Sequence, residues 1–233
     1  MSLVQIAVVA AAAFSPGPAC RRGALRAARV VAAAPSFEES LESAPAMCRS
    51  LQAGESPAGL AELVSSSAGA RGFFVNYLTD PEWSVADAAE PPASLASALV
   101  DAPAEVKEVM LMNVAMSSAS RVAHDAAGDA ESASASELTC ERAVLLVAAL
   151  APRAPALADA LAALRGATTA AISPPETLGA DEEAQLAAYV AIEAGGEEQA
   201  VWEAFLERWY YDAEQLEGVS AALARCGAPA IVD

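Results

Sequence analysis

Apolar side chains recur at helical spacing along most of the chain from residue 36 onward. The clearest stretch is 103–127, where Val106, Val109, Met110 and further apolar residues surround most of the helix axis. A helix that is apolar on nearly every side is usually buried at the centre of a domain. No stretch shows the alternation of apolar and polar residues that predicts a β-strand. The pattern therefore predicts an all-α fold, an irregular bundle of about eight to ten short helices around a central apolar helix near 103–127.

Glycine and proline predict where several helices bend or end. The segment 36–54 should form a helix that breaks or bends at Pro45, because proline removes a backbone hydrogen bond. A later helix should end at Gly166. The glycines of GARG at 69–72 fit a turn.

Composition and charge narrow the classes of function. About a quarter of the residues are alanine, so the core must depend on scattered large side chains. The chain carries 13 basic and 31 acidic residues, a net charge of −18. Such a protein repels the phosphates of nucleic acids and of anionic lipids, so neither is an expected partner. The domain contains no apolar run of the ~20 residues that a membrane-spanning helix needs, and no integral membrane span is expected.

The first 37 residues contain no acidic side chain. Residues 3–13 are apolar and end in Ala11 and Ala13, like the hydrophobic region and cleavage site of a signal peptide. The following stretch holds four arginines, which is typical of an organelle transit peptide. The sequence thus predicts a signal peptide at 1–13, a transit-peptide-like basic segment at 14–35 and a single helical domain at 36–233.

The junction between the two leader segments reads Ala13, Phe14, Ser15, Pro16. A signal peptide, an aromatic residue at the cleavage point and a basic segment together resemble the bipartite presequence of algae with secondary plastids. In that family of leaders the junction is of the Ala-Phe-Ala-Pro type. The resemblance covers residues 1 to about 35 and implies a location in the plastid stroma; the alternative is a secreted protein. Without the four leader arginines, nine basic residues face 31 acidic ones, a net charge of −22.

A polar stripe follows one face of the predicted central helix. Asn113, Ser117, Ser120 and His124 lie at positions i, i+4, i+7 and i+11, which share a face. His124 is the only histidine, and it could serve as a general base or ligand contact. The same stripe could equally be a solvent-exposed side or a satisfied polar seam. With no second histidine, EF-hand loop or glycine-rich phosphate loop, the sequence predicts neither a metal nor a cofactor.

The cysteines offer a second candidate for catalysis. Cys48, Cys140 and Cys226 are widely spaced, unlike a disulfide framework, and free thiols are expected. Ser134 and Glu137 have the spacing of a capping box, so a helix should begin there after a polar loop at 128–136. Cys140 would then lie near a helix N-terminus, where its pKa could fall and pair it with His124 as a nucleophile. A buried, unreactive thiol is the alternative.

Aromatic residues are concentrated in two segments of the chain, which could be core nuclei or partner-binding patches. A core role is favoured because an alanine-rich domain needs its large side chains inside. The run Trp209, Tyr210 and Tyr211 is harder to bury, since three consecutive residues cover about 300° of a helix. These three are therefore the candidate partner-binding aromatics. The two groups are Phe73, Phe74, Tyr77 and Trp83, and Trp202, Phe205, Trp209, Tyr210 and Tyr211.

Taken together, these patterns favour a soluble, plastid-targeted interaction or assembly factor without enzymatic activity. Its expected partner is a protein, and the compartment suggests photosynthetic complexes. The alternative hypothesis is a small helical enzyme or ligand-binding protein that uses His124 and its polar helix face.

Overall fold

The computed structural model describes residues 34–173 and 198–227, and these residues form helices and connecting turns without a strand. The all-α prediction is confirmed. The leader predicted at 1–35 lies almost wholly outside the described residues. Two 3₁₀ helices cover Ser84–Asp87 and Ala151–Arg153. In chain order the α-helices are α1 (Phe37–Gln52), α2 (Leu60–Leu63), α3 (Ser67–Tyr77), α4 (Ala93–Asp101), α5 (Ala104–Ala126), α6 (Ala130–Leu150), α7 (Pro155–Ile172), α8 (198–209) and α9 (Ala213–Arg225).

Helix α5 lies at the centre of the bundle, as its apolar pattern predicts. It packs against α6 along most of its length and also contacts α3, α7 and α9. Val106, Leu111 and Val114 are completely buried. The helix begins directly after Pro103, which cannot donate a hydrogen bond and suits a helix start. None of the described helices is both long and apolar enough to cross a membrane.

Helices α1 and α3 approach each other unusually closely. Gly72 lies at their contact, and a Cβ atom built on it would stand 2.5 Å from Ser40 Cβ and 2.7 Å from the Phe37 carbonyl oxygen. No side chain fits in that space. The prediction that residues 69–72 form a turn was therefore wrong: these residues lie inside α3, and the glycine at 72 serves helix packing.

Helix α1 also continues through Pro45, so the break predicted there as an alternative to a bend was wrong. Proline lacks the N–H that would bond to the carbonyl of Leu41 four residues earlier. The Asn76 side chain on α3 supplies a replacement, because its Nδ2 donates to the Leu41 oxygen at 3.3 Å. Helix α7 likewise continues past Gly166 to Ile172.

Helix α6 begins earlier than its sequence predicts. The expected loop at 128–136 is mostly helical, because Asp129 caps the helix by accepting a hydrogen bond from the Ser132 N–H at 3.1 Å. The additional turns bury Ala133 and Ser136. Tertiary packing thus outweighs the weak helix preference of serine in this segment.

The aromatic residues of the N-terminal group are core residues. Phe73, Phe74, Tyr77 and Trp83 are each at most 6% exposed. The rings of Phe73 and Tyr77 stack with centroids 5.2 Å apart. In the second group, Trp202 and Phe205 are also buried and meet edge to face at 5.6 Å.

Candidate functional site

A groove of about 750 Å³ lies on the surface between the C-terminal half of α7, helix α8 and the start of α9. We call it the C-terminal groove. Small alanine side chains on α7 and α8 leave the space open, while larger side chains from 206–216 complete its lining. The described lining residues are Ala167, Ala170, Ala171, Glu203, Ala204, Leu206, Glu207, Arg208, Tyr210, Tyr211 and Leu216.

Tyr210 is the most conspicuous residue of the C-terminal groove. The residue is 90% exposed. Its φ is 49°, which makes it the one non-glycine with a positive φ among the described residues. This left-handed conformation costs an ordinary residue ~1–2 kcal/mol, and glycine or asparagine usually occupies it at a helix end. Neither burial nor backbone preference therefore explains a tyrosine here.

Tyr210 lies in the turn between α8 and α9, and contacts on both sides of it hold this turn in place. On one side, Trp209 ends α8 and packs half-buried against the core. On the other, the carboxylate of Asp212 accepts the Gln215 N–H at 2.8 Å, while the Gln215 side chain accepts the Asp212 N–H at 3.0 Å. This capping box begins α9 directly after the turn. The Tyr210 ring is thus presented to solvent from an anchored backbone.

Tyr211 points its ring inward, unlike its neighbour. The ring contacts Phe205 edge to face with centroids 6.5 Å apart. Burial raises the pKa of the Tyr211 hydroxyl well above its usual range. That hydroxyl is buried and has no hydrogen-bond partner among the described residues. The three predicted aromatics therefore divide into two anchors, Trp209 and Tyr211, and one exposed ring; their role in partner binding stays a prediction.

Charged side chains lie beside the aromatic part of the groove. Glu203 and Glu207 stand one helical turn apart on α8. The Gln199 amide donates to a Glu203 carboxylate oxygen at 2.9 Å. Arg208, the one cation among the described lining residues, already has an interaction within the chain.

The predicted polar face of α5 is used largely by the helix itself. The Asn113 amide donates to the Val109 carbonyl at 2.8 Å. The Ser117 hydroxyl donates to the Asn113 carbonyl at 2.5 Å, and its side chain is buried against α6. Ser120 and His124 are half-buried further along the same face. Two of the four side chains thus serve the backbone.

The two acids near His124 have other partners. The Asp125 carboxylate binds Arg121 at 2.6 Å. The Asp129 carboxylate caps α6, and its hydrogen bonds with Ser132 lower its pKa, with a smaller contribution from His124. Neither acid is dedicated to orienting the imidazole as the acid of a catalytic triad would be. Ligand binding or catalysis by His124 stays a prediction that no contact of the described residues favours.

The prediction that Cys140 lies near a helix N-terminus was wrong. Because α6 begins at Ala130, Cys140 lies in the middle of the helix and is 4% exposed. Burial raises its pKa to about 11, although the Ser117 hydrogen bond and Arg225 offset part of the effect. Burial likewise raises the pKa of Cys48 to about 12 and of Cys226 to about 12. A nucleophilic thiol needs the opposite shift.

The raised pKa values predict unreactive thiols. In the native protein at pH 8 we expect Cys48, Cys140 and Cys226 to react with Ellman's reagent at least ~100-fold more slowly than in guanidinium, because burial disfavours the thiolate. The protonated thiol is the form that the fold favours. The associated stability is therefore complete below the ordinary thiol pKa and is lost as the pH rises toward 11 to 12. Rapid labelling of any one of the three, mapped by mass spectrometry, would contradict this burial.

Neither a metal centre nor a second aromatic groove is found among the described residues. Within the described residues, no group of three or more histidines, cysteines or acids is placed to hold a metal ion. A second groove of about 510 Å³ lies between α2 and α4 and is lined by Pro57, Gly59, Leu60, Ala61, Ser65, Ser94, Ser97, Ala98, Asp101, Ala102 and Pro103. None of these described lining residues is an aromatic comparable to Tyr210.

The alanines that shape the C-terminal groove were not identified from the sequence. Ala167, Ala170 and Ala171 come from α7, and Ala204 faces them from α8. In a chain so rich in alanine, a run of small residues does not stand out. The informative signal in the sequence was the aromatic run 209–211, because Tyr210 and Tyr211 line the groove opposite these alanines.

Comparison with known proteins places the chain in one family. No curated protein and no solved structure matches it. A family model described as uncharacterised conserved protein UCP020893 matches residues 36–172, which is more than half of the chain. The match covers α1 to α7 and so includes the three alanines that α7 contributes to the C-terminal groove, whereas α8 and α9 lie beyond it. The chain therefore belongs to the family of uncharacterised conserved protein UCP020893.

Proposed function

We propose that the protein is a non-enzymatic interaction or assembly factor of the plastid stroma, and that it binds a protein partner through the C-terminal groove. The observation that carries the proposal is Tyr210, a 90% exposed tyrosine in a left-handed backbone conformation at the groove. Unfavourable backbone conformations of this kind are concentrated at functional sites. Exposed tyrosines are also favoured anchors in protein interfaces.

The geometry suits a binding role better than a catalytic one. The cysteine thiols are buried, and the hydroxyl and amide groups of Ser117 and Asn113 are bonded within α5. The C-terminal groove, in contrast, combines an apolar floor, formed by Ala167, Ala170, Ala171 and Ala204, with the exposed ring of Tyr210. Hydrophobic grooves between helices commonly receive an apolar helix face of a partner.

The leader supports the compartment in this proposal. The family match begins at Ser36, the residue at which the predicted helical domain follows the predicted basic segment. Ser36 is also the N-cap of α1, and its hydroxyl accepts the Glu39 N–H at 3.2 Å. Photosynthetic complexes are the partners that this compartment suggests. Mass spectrometry of the native N-terminus tests the plastid location. A start near Ser36 supports plastid import, and a start at Phe14 contradicts it.

The binding proposal predicts that stability and binding separate at Tyr210. Replacement by asparagine, which tolerates the left-handed conformation, should leave the free energy of unfolding unchanged or raise it by up to ~1 kcal/mol. The same Tyr210→Asn variant should lose the partner in affinity capture from plastid extract. Urea unfolding and quantitative mass spectrometry of the captured proteins measure the two effects.

Val201→Ala is the matched control for this experiment. Val201 is 49% exposed on α8 but does not line the groove. The Val201→Ala variant should capture the same partner as the wild type. Equal capture by Tyr210→Asn and wild type would refute the binding role of the groove.

A further inference from the structure

The charges beside the C-terminal groove indicate which kind of helix would fit it. Glu203 and Glu207 lie four residues apart on α8, so their carboxylates project from the same helix face. Both line the groove together with the apolar floor. A partner helix lying on the floor would therefore meet two negative charges along one edge.

The third charge among the described lining residues is the cation of Arg208. Arg208 already has an interaction within the chain, and the domain as a whole is strongly acidic. A carboxylate buried by a partner without a compensating charge is costly. An acidic partner would be repelled, while lysine or arginine at matching positions would gain attraction and faster association.

The floor sets a second requirement. Ala167, Ala170, Ala171 and Ala204 are small, so a helix can approach the groove closely. Leu216 and the exposed Tyr210 ring offer apolar contact at one end. An occupant needs apolar residues at positions i, i+3, i+4 and i+7 to fill such a groove.

We propose that the C-terminal groove receives a basic amphipathic helix of a partner protein, with lysine or arginine residues opposite Glu203 and Glu207. This inference rests on the proposed function and specifies the chemistry of its partner. The apolar face of the helix packs on the alanine floor and against Tyr210. Its cations lie along the acidic edge formed by α8.

Three synthetic amphipathic peptides test the proposal on the full chain. All carry the same leucine face, and their polar faces hold lysine, glutamine or glutamate. Fluorescence anisotropy should show the lysine peptide binding at least tenfold more tightly than the glutamate peptide, with affinity falling as salt is added. The Tyr210→Asn variant should lose the binding.

A pair of double variants separates the local edge from the overall negative charge. Glu203→Gln with Glu207→Gln should weaken the lysine peptide about tenfold. Glu38→Gln with Glu42→Gln removes the same charge at the same spacing from the exposed face of α1 and should change the affinity less than twofold. Equal weakening by both pairs would show only diffuse attraction and overturn the proposal.

The remaining outcomes distinguish this inference from the proposed function. If all three peptides bind equally and Tyr210→Asn abolishes the binding, the groove is a binding site but its preference for a basic helix is refuted. If no peptide binds and Tyr210→Asn still captures the same plastid proteins as the wild type, the proposed function fails together with the inference.

Discussion

Replacing Gly72 by alanine is expected to destabilise the protein by about 3 kcal/mol, the upper part of the range for overpacking a rigid contact. The added Cβ would lie 2.5 Å from Ser40 Cβ, 2.7 Å from the Phe37 oxygen and 2.8 Å from the Leu41 nitrogen. Two of these three atoms belong to the backbone of α1, so the two helices must separate. Urea unfolding followed by circular dichroism measures the loss.

Gly166→Ala is the matched control, since it too adds a methyl group inside a helix. There the new Cβ would meet the end of the Gln199 side chain, with Oε1 at 3.0 Å, and no backbone atom. The amide can shift by weakening its hydrogen bond to Glu203, and alanine is the better helix former by up to ~1 kcal/mol, which offsets that loss. Its stability should stay within ~1 kcal/mol of the wild type. Equal stabilities of Gly72→Ala and the wild type would contradict the close approach of α1 and α3.

Replacing Arg142 by methionine is expected to cost about 3 kcal/mol, because it removes charge-assisted hydrogen bonds that are each worth ~1.5–3 kcal/mol and leaves two backbone carbonyls without their donor. Arg142 lies on α6 and is 1% exposed. Its guanidinium holds both oxygens of Asp87, at 2.6 Å from Nε and 3.3 Å from Nη2. It also donates to the carbonyl of Asp80 at 2.7 Å and to that of Leu78 at 3.4 Å. Without the guanidinium these two carbonyls lose their side-chain donor.

Asp87→Asn provides the comparison for this prediction. The Asp87 side chain is about half exposed, so water can replace part of its interaction. Asp87→Asn should therefore lower the free energy of unfolding less than Arg142→Met does. The double variant should lose less than the sum of the two single losses, because both residues act through one network. A cost below ~1 kcal/mol for Arg142→Met would show that the arginine does not fasten the segment 78–87 to α6.

Features that depend on local pattern could be predicted from the sequence. The central helix was expected near 103–127 and spans Ala104–Ala126, because its apolar residues repeat with the helical period after Pro103. The buried aromatic pairs of α3 and α8 follow from the same reasoning. The run Trp209, Tyr210 and Tyr211 was predicted to be hard to bury, and Tyr210 is exposed, although it lies in the turn after α8 and not on a helix as expected.

Features that depend on distant partners could not be predicted. Arg142 resembles any surface arginine in the sequence, since the residues it binds are 55 to 64 positions away. Gly72 resembles a turn residue until Ser40 and Phe37 are placed against it. The loop expected at 128–136 is helical because Asp129 supplies an earlier cap and because packing of α6 on α5 outweighs local preference.

The candidate site shows the same division. Tyr210 and its neighbours were found from the sequence, but the groove beside them required the alanines of α7, about 40 positions earlier in the chain. The polar face of α5 was a regular pattern with a structural explanation, because Asn113 and Ser117 bond to backbone carbonyls of their own helix. Helical spacing shows which side chains share a face, and contacts show whether they are available.

Site-specific photo-crosslinking tests most directly whether the C-terminal groove is a protein-binding site. A photoreactive phenylalanine analogue would replace Tyr210 in one protein and Val201, outside the groove on α8, in another. After illumination in plastid extract, a discrete crosslinked partner is expected from position 210 and none from position 201. The same product from both positions, or no product from position 210, would show that the C-terminal groove is not the binding site.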